Sequence, residues 1–228
     1  LVGSEMCIRD SKITNGHGQG AETIMSAEAH FMRGNFVDAH IALEKAYTQI
    51  QGNGQESIAL CCDFLAQRLS ICMDIKMRNT FEERRKELLQ GHNNTWVNIF
   101  DSTCAYYYAV TGQTERIPAL FGAHMLSTVN FLAPGRPMME MIENQVFLSQ
   151  KMYAKVIGRS ETLLPVCEKM HYELVSLHIQ IQTAAAYAML GKHHDARQLL
   201  QKALEHAMPD GFLIPFVENY NYIKDVLG

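Results

Sequence analysis

Three things are scarce in this sequence, and each scarcity excludes a class of protein. No apolar run approaches the roughly 18–20 residues that a helix needs to cross a bilayer, so a soluble chain without a membrane partner is expected. Basic charge is not in excess: 20 Lys and Arg stand against 24 Asp and Glu, a formal net charge of −4. Phosphate binding needs a surplus of cations on one face, so these residues are not expected to grip nucleic acid. Proline is rare, six in 228 residues, beside 47% apolar and 19% charged residues. That balance belongs to an ordinary globular protein, neither disordered nor fibrous.

Catalytic and ligating motifs are missing as well. The sequence holds no GxxxxGK[ST] phosphate loop, no GxSxG elbow and no HExxH pair. Asn15 to Gly20 is glycine-rich, but no strand precedes it, and residues 12–20 read as a flexible linker. His193 and His194 are adjacent and therefore point about 100° apart on a helix, while His171 and His178 are a full two turns apart. With no Cys or carboxylate at ligand spacing, no metal, no cofactor and no enzymatic activity are expected. Six cysteines do not make a disulfide framework in a chain this long. Cys61, Cys62 and Cys72 fall among core-type residues, as reduced thiols of a cytoplasmic protein do.

What is present is helical periodicity. Phe36, Ala39, Leu43, Ala46, Tyr47 and Ile50 recur at the spacing of one helix face, as do Ala196, Leu199, Leu200, Ala203, Leu204 and Ala207. Ile58, Cys62, Leu65, Leu69 and Cys72 form a third stripe, and Trp96, Ile99, Thr103, Tyr107 and Val110 a fourth. Residues 174–190 are apolar on two faces, which predicts a helix packed between neighbours. Gly34, Gly112 and Gly191 each follow a helical run, where glycine takes the left-handed conformation that ends a helix. Asn35 is placed to cap the next helix, and Thr80 with Glu83 has capping-box spacing.

Two of these hairpins fit one template. Ala27, Gly34, Phe36, Ala39, Leu43 and Ala46 match the spacing of Ala184, Gly191, His193, Ala196, Leu200 and Ala203. The expectation is an all-α, TPR-like αα-hairpin superhelix, a right-handed solenoid with irregular repeats over residues 21–228 and roughly nine to eleven helices. The aromatic cluster Trp96, Phe100, Tyr106, Tyr107 and Tyr108 is the candidate ligand-binding set. It reads either as core packing or as a groove that stacks on a sugar or a peptide. Arg84, Arg85 and Lys86, flanked by Glu82, Glu83 and Glu87, read as a solvated helix face. Met138, Met139 and Met141 serve either an adaptable core or a binding face.

The first eleven residues, LVGSEMCIRDS, resemble the in-frame translation of a transposon-end sequencing adapter. The resemblance removes Cys7 and Arg9 from any argument and implies that native sequence upstream of Lys12 is missing.

A second resemblance spans most of the remaining chain. Its residues are the Arg33-Gly34-Asn35-Phe36 turn, Tyr153 to Gly158, Leu190-Gly191, Asp195-Ala196, Ala203-Leu204 and Ala207. They continue through Met208-Pro209-Asp210, Pro215-Phe216 and Glu218-Asn219. Together these resemble the end of the helical-repeat domain in MalT-type transcription regulators of the LuxR family. The resemblance implies a bacterial segment that senses a small-molecule inducer or a protein or peptide partner. It also implies that a nucleotide-binding switch domain can precede the segment and that a helix-turn-helix module follows it, beyond Gly228, so that DNA is met only through that module. Pro165 falls inside an implied helix, where a kink or a later helix start is expected. Pro209 ends a helix, Pro215 breaks any continuation, and Phe212, Leu213 and Phe216 fold back over the last hairpin. A free-standing TPR scaffold for a peptide or protein is the alternative reading.

Overall fold

The computed structural model describes residues 18–52, 54–92, 94–131 and 135–227. The adapter-like segment, with Cys7 and Arg9, lies outside the described residues. Those residues contain twelve α-helices and three short 3-10 turns, and no strand. The count exceeds the expectation because single-turn helices such as Ala119–Gly122 leave no periodic stripe to read. No helix among them is long and apolar enough to cross a membrane. The chain divides into two compact units, one through Phe100 and one from Asp101 onward.

The first unit contains α1 (Ala21–Met32), α2 (Phe36–Ile50), α3 (Glu56–Cys72), α4 (Phe81–Gln90) and the start of α5 (Asn94–Val110). Helices α1 and α2 form a hairpin around Gly34, whose φ of 79° is the left-handed region. The Gly34 N–H donates to the Phe31 carbonyl at 2.8 Å, and the Asn35 N–H donates to that of His30 at 2.9 Å. Asn35 begins α2 without a side-chain cap, so the capping expected of it is not made. Ala27, Ala39, Leu43 and Ala46 are buried where the two helices meet. Of the expected linker, Gly18 to Gly20 form a turn whose Gly18 N–H donates to Gln55 Oε1 at 2.6 Å, while Gln55 Nε2 donates to the Gln19 carbonyl at 3.1 Å. Thr80 and Glu83 make the capping box that opens α4.

The second unit continues through α6 (Ala119–Gly122), α7 (Arg136–Ser149), α8 (Tyr153–Met170), α9 (Glu173–Met189) and α10 (His193–Ala207). The short α11 (Ile214–Glu218) and α12 (Tyr220–Ile223) close it. Helix α9 touches α7, α8, α10, α11 and α12, which explains why it is apolar on two faces. Its hairpin with α10 repeats the geometry of the first unit. Gly191 has φ 75°, and the Lys192 N–H reaches the Tyr187 carbonyl at 2.9 Å. The same turn ends α7 at Lys151 (φ 62°) and α8 at His171 (φ 55°), where no glycine marks it.

Several expectations are corrected or narrowed by the structure. Helix α5 is buried at Val97, at every residue from Phe100 to Tyr106, and at Tyr108 and Ala109, whereas of the expected stripe only Thr103 is buried. The mixed sequence of α5 marks no single buried face, and packing decides. Pro165 lies within α8, which starts at Tyr153 and runs on to Met170, so no later start occurs. Pro215 stands in the first turn of α11 and starts that helix, because its missing N–H is one the first turn does not use. Leu213 is exposed, and Ile214 with Ile223 and Val226 takes its place over the core, joined by Phe212 and Phe216. Leu204 and Met208 are likewise exposed at the end of α10.

Candidate functional site

Helix α7 buries three consecutive polar residues, Glu143, Asn144 and Gln145, each at most 1% exposed. Burying polar groups costs free energy unless hydrogen bonds replace water, so each needs an account. Gln145 has one. Gln182 Nε2, on α9, donates to Gln145 Oε1 at 2.9 Å and to the Met141 carbonyl at 3.1 Å. Gln145 Nε2 donates in turn to Asn219 Oδ1 at 3.1 Å, and Asn219 Nδ2 donates to the Pro215 carbonyl at 2.9 Å. The result is a continuous row of amides joining α7, α9 and the turn after α11. Beside it, Thr183 Oγ1 and Ser160 Oγ meet at 2.7 Å between α9 and α8.

This row gives the Glu218-Asn219 pair a physical role. Asn219 closes the amide row, and Glu218 Oε2 accepts a hydrogen bond from the Tyr106 hydroxyl at 2.8 Å. Tyr106 is buried and meets His178 edge-on at 6.3 Å. Asn144 differs from its neighbours: it is fully buried, and neither atom of its amide is bonded to protein. Gln182 Oε1 is likewise without a donor. Amide groups can both donate and accept, so this interior is suited to polar, uncharged groups.

The five aromatic candidates are divided between the two units. In the first, Trp96 is half-buried, while Phe100 is buried and meets Phe81 edge-on at 6.4 Å. In the second, Tyr106 and Tyr108 are buried and Tyr107 is half-buried, with Tyr107 and Tyr108 edge-on at 5.5 Å. The Arg116 guanidinium lies 4.7 Å over the Tyr108 ring. Among the structural residues, Ala39 and Ala196 are fully buried, and Gly34 and Gly191 occupy their left-handed turns. Pro209 follows the end of α10, and Pro215 and Phe216 lie in α11.

The first unit has a polar centre that the sequence reading misassigned. Arg84 was expected on a solvated face, yet its side chain is only 16% exposed. Its Nε donates to Asp63 Oδ2 at 2.8 Å, its Nη2 pairs with Glu56, and its Nη1 lies 3.3 Å from Glu87. The Tyr47 hydroxyl donates to Asp63 Oδ1 at 2.9 Å. Burial pushes the Asp63 carboxyl up, and Arg84 and Tyr47 pull it back. Asp63 also raises the Tyr47 hydroxyl, which burial has already pushed far above its ordinary range. A cleft of about 30 Å³ lies against Tyr47, Asp63, Arg78, Arg84 and Phe100. That volume holds a water molecule and not a sugar. The long-range partners of Arg84 sit 21 and 28 residues away, beyond what local charge spacing can reveal.

Among the described residues no group of three or more His, Cys, Asp and Glu side chains converges as a metal site. His171 is the left-handed cap of α8, and His178 is buried in the core. Cys62, Cys104 and Cys167 are buried thiols, whereas Cys61 is exposed and Cys72 half-buried. No family model matches the chain, and no curated protein or solved structure matches it either.

Proposed function

We propose that this chain is the sensing and coupling segment of a MalT-like regulator of the LuxR family, built as a TPR-like superhelix of helical hairpins. The carrying observation is that Glu218 and Asn219, part of the resemblance to that family, lock the last helices to α5 and α7. The matching turns at Gly34 and Gly191 support the repeat reading, as does the even spacing of the amide row. In this reading the segment has no catalytic role. It binds a small-molecule inducer or a protein or peptide partner in the cytoplasm, and DNA is reached through a separate helix-turn-helix module.

A stand-alone scaffold for a peptide or protein is the second reading. It is favoured by the exposed apolar side chains Met208, Leu213, Val217 and Tyr220, since such groups are suited to a macromolecular contact. The parent gene separates the two. A helix-turn-helix coding segment following the codon for Gly228 supports the regulator, and its absence from the full gene favours the scaffold.

A further inference from the structure

We propose that His124 is an acid-release latch, holding the turn after α6 against α7 and α8 when neutral and letting it go when protonated. The inference rests on what surrounds the ring. His124 sits in the left-handed conformation at φ 58°, on a turn closed by the Met125 N–H to the Leu120 carbonyl at 2.9 Å. A histidine enters that region far less readily than a glycine, so the contacts of the turn hold it there. Its ring stacks at a tilt on Phe147 of α7, with centroids 4.7 Å apart.

Two cations already lie against that phenylalanine. Arg159 Cζ is 4.6 Å and Lys155 Nζ 5.3 Å from the Phe147 centroid, both from α8. The available carboxylate is Glu143, 1% exposed, and Arg159 Nη1 holds its Oε2 at 2.5 Å. His124 Nδ1 stops 3.9 Å short of Glu143 Oε1, beyond hydrogen-bond reach, and both atoms are buried without a bonded partner. Protonating His124 therefore adds a third cation around the Phe147 ring, where the available carboxylate, Glu143, is paired through Oε2 with Arg159 and its Oε1 stands too far from His124 to hydrogen-bond the new charge.

The groups facing His124 act in both directions. Burial is the largest influence and lowers its pKa below the ordinary histidine value, with Lys155 and Arg159 acting the same way; Glu143 and Gln150 oppose them. A lowered folded-state pKa means that the docked turn binds its proton less readily than the released turn. Docking is then strongest above the ordinary histidine pKa of about 6.5 and weakens as pH falls through it. The remaining ties are modest: Gln150 Nε2 donates to the Gly122 carbonyl at 3.4 Å, and Phe121 is buried beneath the turn.

The test is hydrogen exchange of amides 120–126, corrected for intrinsic chemistry, at pH 7.5 and 5.5. The wild-type turn should open about five- to tenfold more often at pH 5.5, the limit set by one proton on a group titrating near 6.5. His124→Asn, which tolerates the left-handed turn and cannot charge, should show no such change. Equal exchange at the two pH values, greater protection in acid, or the same acid response in His124→Asn would each overturn the proposal. A resonance titration of the His124 ring in the wild-type protein gives a second reading. A midpoint below that of exposed histidines supports the latch, and one above it contradicts it.

Discussion

Gln145 and Gln182 stand 37 residues apart, each is the tenth residue of its helix, counting from Arg136 and Glu173, and their amides meet at 2.9 Å in the core. Asn219 lies a further 37 residues on, since the Gln145–Asn219 separation is 74. Three buried amides of the second unit thus recur at equal spacing along the chain and meet in one row. Replacing Gln182 with Met keeps the volume but removes two donated bonds and leaves Gln145 Oε1 without the Gln182 donor. The expected loss is about 1–3 kcal/mol in denaturant unfolding. A Gln182→Met variant as stable as the wild type would show that the row contributes no stability.

The hairpin turns offer a reciprocal pair of substitutions. Lys151 and His171 hold left-handed backbone without being glycine, whereas Gly191 holds it freely. Lys151→Gly and His171→Gly should each change stability favourably by about 0.5–1 kcal/mol, and Gly191→Ala should lower it by about 1 kcal/mol. Thermal melts check this directly, and a drop in Tm for the two glycine variants would contradict the assigned turns.

Arg84 and Arg85 are adjacent in sequence and unequal in the fold. Arg84→Ala strands the largely buried Asp63 carboxylate and should destabilise the first unit by about 2–4 kcal/mol. Arg85→Ala, on the exposed side of α4, should stay within about 0.5 kcal/mol. Urea titrations of the two variants that shift equally would place the charge network wrongly.

Ala39 and Ala196 hold the same position in the two template hairpins, and both are 0% exposed. An indole has no volume to enter there, so Ala39→Trp and Ala196→Trp should each cost about 1–3 kcal/mol or more by overpacking. Near-native melting of either variant would mean that the helices do not meet at these alanines.

These contrasts mark what the sequence could reveal. The stripes of α2 and α10, the glycine turns and the Thr80–Glu83 box were legible because each is a local pattern with a local cause. The turns at His124, Lys151 and His171 were hidden because they have no glycine to announce them. The amide row was hidden for a different reason: single glutamines among alanines and isoleucines carry no period until partners 37 residues away are known. The expected stripe of α5 failed because aromatic and small residues occur all round that helix, and packing buries more than one of its faces. Glu218 and Asn219 were singled out through resemblance alone, and the structure supplies their bonds.

In the proposed function this chain senses and couples while another module reads DNA. A low-salt gel-shift titration addresses it, run on this chain and on the parent protein extended through its following coding segment. The chain alone, with a formal charge of −4, should leave operator DNA unshifted, and the extended protein should bind it in a sequence-dependent and salt-dependent way. Tight, sequence-dependent binding by the chain alone, or no binding by the extended protein, would contradict the account.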